Sequence, residues 1–141
     1  MRRRMRVFYR IPMRHALLLL SFVGILMLTA CNSGLEVKNG SGKGIGKIMV
    51  EGAREATYQN MYGDVRGKVR GNIVRDDSGK NLGTIAEQDG NVVLLDAKEN
   101  PLGSLAEGKK CYGKGQDLLG TVPDELDTSV AGGACLVYFL Q

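Results

Sequence analysis

The sequence predicts an all-β domain of about five short β-hairpins, preceded by a cleaved helical signal segment. Three observations lead to this fold class. A motif of the form aliphatic-Gly-x-aliphatic recurs, and turn-forming residues stand a few positions before most copies. No segment after residue 30 keeps a helical spacing of apolar residues over three turns. Recurrence at this spacing is typical of repeat architectures. The motif glycines are Gly46, Gly67, Gly83, Gly103 and Gly120.

The N-terminal segment has the composition of an export signal. Residues 1–15 contain six arginines and no acid, and residues 16–30 contain no charged side chain. This apolar stretch is too short for a helix that crosses a bilayer, which needs about 20 residues. A basic start, a short apolar stretch and small residues before the cleavage point predict a secretory signal peptide over residues 1–30.

The end of this signal, Leu28-Thr29-Ala30-Cys31, resembles a bacterial lipobox. The resemblance implies cleavage before Cys31 and acyl chains such as palmitate on that cysteine, and two or three chains anchor a protein stably. The mature protein is then a lipidated tether over residues 31–38 and a repeat domain over residues 39–141. The alternative is an uncleaved anchor helix with Cys31 as an ordinary thiol. Residues 32–35 lack the acidic cluster that marks some surface lipoproteins, which predicts an outer-membrane protein facing the periplasm.

The charge of the mature chain differs from that of the whole chain. The full sequence has 19 basic and 15 acidic residues, but six of the basic residues lie in the signal. The mature chain therefore has 13 basic and 15 acidic residues. No nucleic-acid partner is expected, because such binding needs a clustered basic surface. The nearest approach to a patch has a mostly alternating spacing, which predicts the solvent face of a strand. Its members are Arg66, Lys68, Arg70 and Arg75.

The mature chain contains no histidine, because His15 lies in the signal. A Ser-His-Asp or Cys-His nucleophile system and a histidine-ligated metal are therefore excluded for the mature protein. No cofactor is expected. Residues 31–141 are enough for one domain with a single modest core.

Each repeated unit is predicted to be two short strands around a turn. NGSGKGIGKI (39–48) matches DDSGKNLGTI (76–85) at the turn and at the final Gly-x-Ile. An Asn or Asp opens the turn because its side chain bonds to nearby backbone, and a glycine further on accepts positive φ. The glycine in the outgoing strand predicts a bulge or a close approach by a neighbouring strand. The first segment lacks phosphate-loop spacing. The weaker copies are DAKENPLGSL (96–105), YGKGQDLLGTV (112–122) and YGDVRGKV (62–69), the last with a shortened turn and keeping only Gly67 and Val69 of the motif.

Repeated hairpins of this form behind a lipoprotein signal resemble the small β-flower repeat proteins of Gram-negative envelopes. The resemblance covers residues 37–122, and the five glycine-centred copies correspond to the five-fold version. It implies a radial, petal-like arrangement of hairpins, and it supplies no agreed activity and no catalytic residues. The final run ACLVYFL (134–140) is the most apolar strand candidate, and we expect it to be buried against the first repeat.

Three groups of residues are candidates for a site, each with a structural alternative. Cys111 and Cys135 form a disulfide in an oxidising compartment, or else they are buried thiols. Acids near the turns are turn formers or calcium ligands, and the absence of a dense D-x-D-x-D pattern favours turns. Four tyrosines form an aromatic shelf for a sugar or peptide, or fill the rim of the core. The acids are Asp64, Asp76, Asp77, Asp96 and Asp117, and the tyrosines are Tyr58, Tyr62, Tyr112 and Tyr138.

The sequence therefore predicts a non-enzymatic, lipid-anchored envelope protein that binds or scaffolds a partner. The membrane is contacted through lipid on Cys31, and another envelope protein or a glycan is contacted through loops such as 86–90 and 106–110. The alternative is a glycan-binding or glycan-hydrolysing module, because glycoside hydrolysis needs two carboxyl groups and no histidine.

Overall fold

A computed structural model describes residues 34–107 and 109–141. In this part of the chain ten antiparallel strands form a closed barrel, and one helix follows them, so the all-β prediction is confirmed for the barrel wall. Each strand pairs with its neighbours in sequence, and β1 pairs with β10. The elements are β1 Leu35–Asn39, β2 Gly44–Gly52, β3 Glu55–Asn60, β4 Val65–Arg70, β5 Ile73–Asp76, β6 Asn81–Gln88, β7 Asn91–Asp96, β8 Pro101–Ala106, β9 Lys110–Gly113, β10 Leu118–Thr121 and α1 Thr128–Phe139.

The first strand begins earlier than the sequence indicates. Residues 35–38 lie in β1, where Val37 is fully buried and Leu35 pairs with Ile48. The predicted tether over 31–38 therefore overlaps the barrel wall. Inward-facing and outward-facing residues alternate along the strands, as expected for a sheet with one solvated face.

The five hairpins turn at one end of the barrel, which we call the turn end. In every turn the first residue donates its N–H to the carbonyl of the fifth residue and accepts the N–H of the fourth. The fourth residue has positive φ in all five turns. The turns span residues 39–43, 60–64, 76–80, 96–100 and 113–117.

Side chains reinforce four of these turns. The first residue is Asn39, Asn60, Asp76 or Asp96, and its Oδ1 accepts the backbone N–H of the third and fifth residues. Gly113 occupies this position in the fifth turn and has no side chain to contribute. The second turn begins at Asn60 and has the same length as the others, so the predicted shortening of this copy is wrong.

A β-bulge precedes each motif glycine. The pairing register shifts there in all five hairpins and leaves one residue of the outgoing strand without a partner. A Cβ added at Gly67 would lie 2.8 Å from the Arg75 carbonyl oxygen, so the neighbouring strand also approaches closely. Both features predicted for the glycines are therefore present. The bulged residues are Ile45, Arg66, Leu82, Leu102 and Leu119.

The C-terminal segment is a helix, so the strand predicted at 134–140 is wrong. Asp127 caps α1 by accepting the Ser129 N–H at 2.8 Å. Residues 129–137 are all buried, and the helix contacts every strand from β2 to β10, so α1 lies inside the barrel. A helix in this position is apolar all round and lacks the one-sided periodicity by which a sequence indicates a helix.

Helix and wall are complementary in size at two levels. Near the N-terminus of the helix the residues are small and the wall leaves no spare room: a Cβ added at Gly132 would lie 2.9 Å from Ile85 Cγ1. Near its C-terminus the side chains are large, and a motif glycine faces each of them. Ten strands enclose more space than their own side chains fill, and the helix occupies it. The pairs are Gly46 with Tyr138, Gly67 with Val137, Gly83 with Leu136, Gly103 with Leu140 and Gly120 with Phe139.

Candidate binding surfaces

The predicted cysteine pair lies in the core. Cys111 of β9 and Cys135 of α1 form a disulfide with their Cα atoms 5.6 Å apart, and both residues are fully buried. The bond ties the helix to the wall of the fifth hairpin. Its position among apolar side chains gives it a structural role.

Of the four candidate tyrosines, Tyr58 and Tyr138 pack edge to face with ring centroids 6.1 Å apart, and Tyr62 and Tyr112 do not join them. Tyr58 is fully buried and donates to the Val130 carbonyl at 2.7 Å, and burial raises its pKa well above the ordinary value. Tyr138 lies between hairpins, where its hydroxyl is 2.8 Å from the Lys47 carbonyl oxygen, and burial raises its pKa to about 12. Tyr112 is half-buried, whereas Tyr62 is 93% exposed. These tyrosines therefore form no shelf.

The candidate acids lie at the turns. Hydrogen bonds from Ser78 lower the pKa of Asp76, and hydrogen bonds from Asn100 lower the pKa of Asp96. These two carboxylates therefore hold the turn backbone. In residues 34–107 and 109–141, no group of three or more His, Cys, Asp or Glu side chains is placed to hold a metal ion.

The two predicted binding loops contribute unequally to one cavity at the opposite end of the barrel, which we call the loop end: of residues 86–90 only Gly90 lines it, because residues 86–88 belong to β6. The loop end comprises the connections 53–54, 71–72 and 89–90, residues 107 and 109, and the segment 123–127. The cavity has a volume of about 600 Å³ and opens between the β6–β7 and β8–β9 hairpin loops. Polar residues at its mouth are Asn91, Glu107, Lys109 and Lys110.

A polar cluster at the loop end is not foreseen from the sequence. Arg54 Nε donates to Ser129 Oγ at 3.1 Å, and the Arg54 guanidinium also donates to Asn72 Oδ1. Hydrogen bonds among these residues join the β2–β3 and β4–β5 connections to the start of α1. The three residues are far apart in sequence and carry no motif, so no local signal could have grouped them.

Four basic residues form a row on the outer wall. Arg66, Lys68 and Arg70 are exposed along β4, and Arg75 of β5 stands directly opposite Lys68. The predicted solvent face is therefore confirmed. Arg66 also occupies the bulge position that is aliphatic in the other hairpins. The sequence contains this signal, because the second copy is the one without an aliphatic residue before its glycine.

Comparisons with known proteins return no relative. No protein-family model, no curated protein and no solved structure matches this chain. The predicted signal peptide and Cys31 lie outside the described residues. Among the residues that are described, no helix has the length and apolar character needed to span a membrane.

Proposed function

We propose that this protein is a lipid-anchored, non-enzymatic module of the cell envelope that binds or scaffolds a partner. The export signal and the lipobox-like residues before Cys31 support the anchor. We also propose that the ten strands are five β-flower-type hairpins arranged radially around α1. The shared hydrogen bonds of the five turns and the pairing of each motif glycine with one residue of α1 or with its C-cap Leu140 support this arrangement.

The cavity at the loop end carries the binding role. The interior of the barrel is filled by α1, so the surfaces that remain for a partner are its ends and its outer wall. The β6–β7 and β8–β9 loops project from paired strands and line the same open cavity. Binding residues are commonly found on loops that a rigid scaffold positions.

A crosslinked pull-down from intact membranes tests this proposal. The lipidated full-length protein should recover a specific envelope protein, and Cys31→Ser should not. The double variant Glu107→Ala/Lys110→Ala should lose the partner, because both side chains line the cavity. The matched control Asp77→Ala/Lys98→Ala removes one charge of each sign at the turn end and should keep it. Recovery of lipid and glycan without any protein would contradict a protein-scaffolding role.

Glycan hydrolysis has less support than glycan binding. A hydrolase needs a general acid whose pKa is raised. Hydrogen bonds lower the pKa of the turn carboxyls Asp76 and Asp96, so these two are unsuited to the role of general acid. Glycan binding is favoured by one specific observation, the exposed aromatic ring of Tyr62 beside a basic strand.

A further inference from the structure

The outer face of the second hairpin carries an extended positive charge. We call Arg66, Lys68, Arg70 and Arg75 the cationic row, and all four are exposed. Residues two apart in a strand point to the same side and lie about 7 Å apart, so the row along β4 extends over about 14 Å. No acidic residue stands between Val65 and Arg70.

One cation of the row, Arg70, forms a salt bridge within the protein. The ion pair between Arg70 and Glu55, at 3.2 Å, is the one salt bridge in the part of the chain that the structure describes. Lys68 and Arg75 are direct cross-strand partners, and like charges in that arrangement are destabilising. The mature chain has more acidic than basic residues, so this local excess of cations is not a consequence of overall composition.

A cavity of about 530 Å³ lies against the row and also contains carboxylates. Three of them already have partners. Glu51 accepts from Thr57 at 2.7 Å, Glu55 pairs with Arg70, and Asp76 accepts backbone N–H groups of its own turn. The fourth, Asp77, belongs to the tip of the third turn. Because the donors to Glu51 and Asp76 are neutral, these carboxylates keep their charge, and the cavity itself is not a cationic site. Arg66 lies outside the cavity lining, and within residues 34–107 and 109–141 none of Arg66, Lys68 and Arg75 forms a salt bridge, so these three are the cations that can attract an anionic ligand.

The second hairpin differs from the others at the bulge and at the turn tip. Its bulged residue is Arg66, and its turn tip carries Met61 and Tyr62, both exposed. The Tyr62 N–H donates to Asn60 Oδ1 at 2.9 Å, so the turn hydrogen bonds fix the backbone that carries this aromatic ring. The other four turns have the same hydrogen-bonding pattern without an aromatic tip.

We propose that the second hairpin and the adjoining β5 bind an acidic polysaccharide, with a sugar ring against Tyr62 and its acidic groups on the cationic row. This role rests on the binding function proposed above. A row of cations matches a linear polyanion better than a single lipid headgroup. Single-stranded nucleic acid is bound by several successive aromatic side chains, whereas this face has one.

Titration of the purified, lipidated full-length protein with polygalacturonate in detergent tests the proposal. Binding should weaken as salt rises, because exposed charges are screened. Arg66→Gln/Lys68→Gln should weaken binding about tenfold, or about 1.4 kcal/mol. The control Lys98→Gln/Lys114→Gln removes the same charge from two other turns and should change binding less than twofold. Tyr62→Ala should weaken binding without changing its salt dependence.

Folding of the variants is checked independently by thermal unfolding. Lys68→Gln should raise the midpoint slightly, because it removes the repulsion with Arg75. The proposal would be overturned if the neutral polysaccharide dextran bound equally well, if the two double variants had equal affinities, or if polygalacturonate did not bind at all. Tighter binding of a single-stranded oligonucleotide or of phosphatidylglycerol vesicles would also overturn it. A protein partner recovered in the pull-down would then still support the proposed function.

Discussion

The second and third hairpins have the same backbone and expose different chemistry. Both open the turn with a side chain that accepts two backbone N–H groups, and both place a glycine against α1 seven positions later. The second hairpin then exposes Tyr62 and Arg66, where the third has Ser78 and Leu82. The fold therefore dictates the inward and turn positions and leaves the outward positions free to change.

The inward positions are restricted because α1 touches nearly every strand. A glycine that faces the helix has no room for a side chain, whichever hairpin carries it. Outward positions such as Tyr62 contact water, whereas the bulge position is intermediate: Ile45, Leu82 and Leu102 are partly buried and pack against the core, and Arg66 is exposed. Differences between hairpins on the outside thus indicate binding roles more directly than anything on the inside.

The largest expected effect concerns the disulfide, which ties the fifth hairpin, but not the second, to the helix. Cys111→Ala/Cys135→Ala removes a disulfide that closes a loop of 24 residues. We expect a loss of about 3.5 kcal/mol in the free energy of unfolding, from the added freedom of the unfolded chain. Denaturant unfolding measures it. A reducing agent should destabilise the unaltered protein and leave the double variant unchanged, and equal stabilities would show that the bond does not hold the helix.

The motif glycine of the second hairpin should be as sensitive as that of the third. A Cβ at Gly67 would lie 2.8 Å from the Arg75 carbonyl oxygen and 2.9 Å from Val137 Cγ2. We expect Gly67→Ala to cost about 2–3 kcal/mol of stability because the added methyl overpacks the interior. Gly83→Ala should cost a similar amount.

Gly113→Ala is the matched control, because its added Cβ would meet Leu119 at an ordinary 3.5 Å. If Gly67→Ala were as well tolerated as this control, the second hairpin would not pack against the helix as the other hairpins do.

The difference between turns and helix also explains how far the sequence predicts the fold. Asn or Asp side chains, glycines and bulges shape the backbone next to them. A segment such as 76–85 therefore predicts its own turn and outgoing strand. The helix depends on what surrounds it. Its sequence, TSVAGGACLVYF, contains two glycines and has no polar face. A short apolar run of this kind cannot be assigned to helix or strand by periodicity.

The sequence predicts the binding surfaces only in part, because some of their features depend on residues that are distant in sequence. Polar segments between strands predict exposed connections at 86–90 and 106–110, and the cavity between them is lined by Gly90 of the first and by several residues of the second. That Lys68 stands opposite Arg75 depends on strand register, which residue types do not reveal. The cluster of Arg54, Asn72 and Ser129 depends on where the helix enters the barrel.

The residue that opens the turn allows a smaller test of the same comparison. Asn60→Ala removes the acceptor for the Tyr62 and Asp64 N–H groups. We expect a loss of about 1 kcal/mol, typical of a net hydrogen-bonding contribution. Asn60→Asp keeps the acceptor but should recover only part of this stability, because Asn60 Nδ2 donates to Asp64 Oδ2 at 2.8 Å and the substitution would place two carboxylates together.

The fifth turn allows the opposite substitution, which adds a hydrogen-bond acceptor instead of removing one. Gly113→Asn places an acceptor where none exists, and its Cβ has ordinary contacts with Leu119. We expect a gain of about 0.5–1 kcal/mol in chemical denaturation. A loss in this variant would mean that the fifth turn is not equivalent to the second.

Alkaline pH tests the seam between the first and second hairpins. The Tyr138 hydroxyl lies 2.8 Å from the Lys47 carbonyl oxygen and 2.6 Å from that of Gln59, and burial raises the pKa of Tyr138 from 10.0 to about 12. The folded protein therefore keeps a proton that the unfolded chain loses. This stabilisation is complete below about pH 10 and is lost as pH rises through 12.

We expect a loss on the order of 1 kcal/mol, because solvent screens the part-exposed ring. Urea unfolding between pH 9 and about pH 12 measures it. Tyr138→Phe should flatten the profile without abolishing its slope, because burial also raises the pKa of Tyr58. An unchanged profile in Tyr138→Phe would contradict this assignment.

The substitution with the smallest expected change in stability tests whether Arg66 serves ligand binding or the fold. Arg66→Leu gives the second hairpin the aliphatic bulge residue of the other four. Arg66 is exposed and lies outside the Arg70–Glu55 ion pair, so we expect stability to change by less than about 0.5 kcal/mol. Polygalacturonate binding should nevertheless weaken, because the row loses its cation nearest the turn tip. Leu82→Arg, which places a cation at the same position of the third hairpin, should not restore binding in this variant. A large loss of stability in Arg66→Leu would instead show that this arginine is required by the fold, and its departure from the repeat would then carry no information about a ligand.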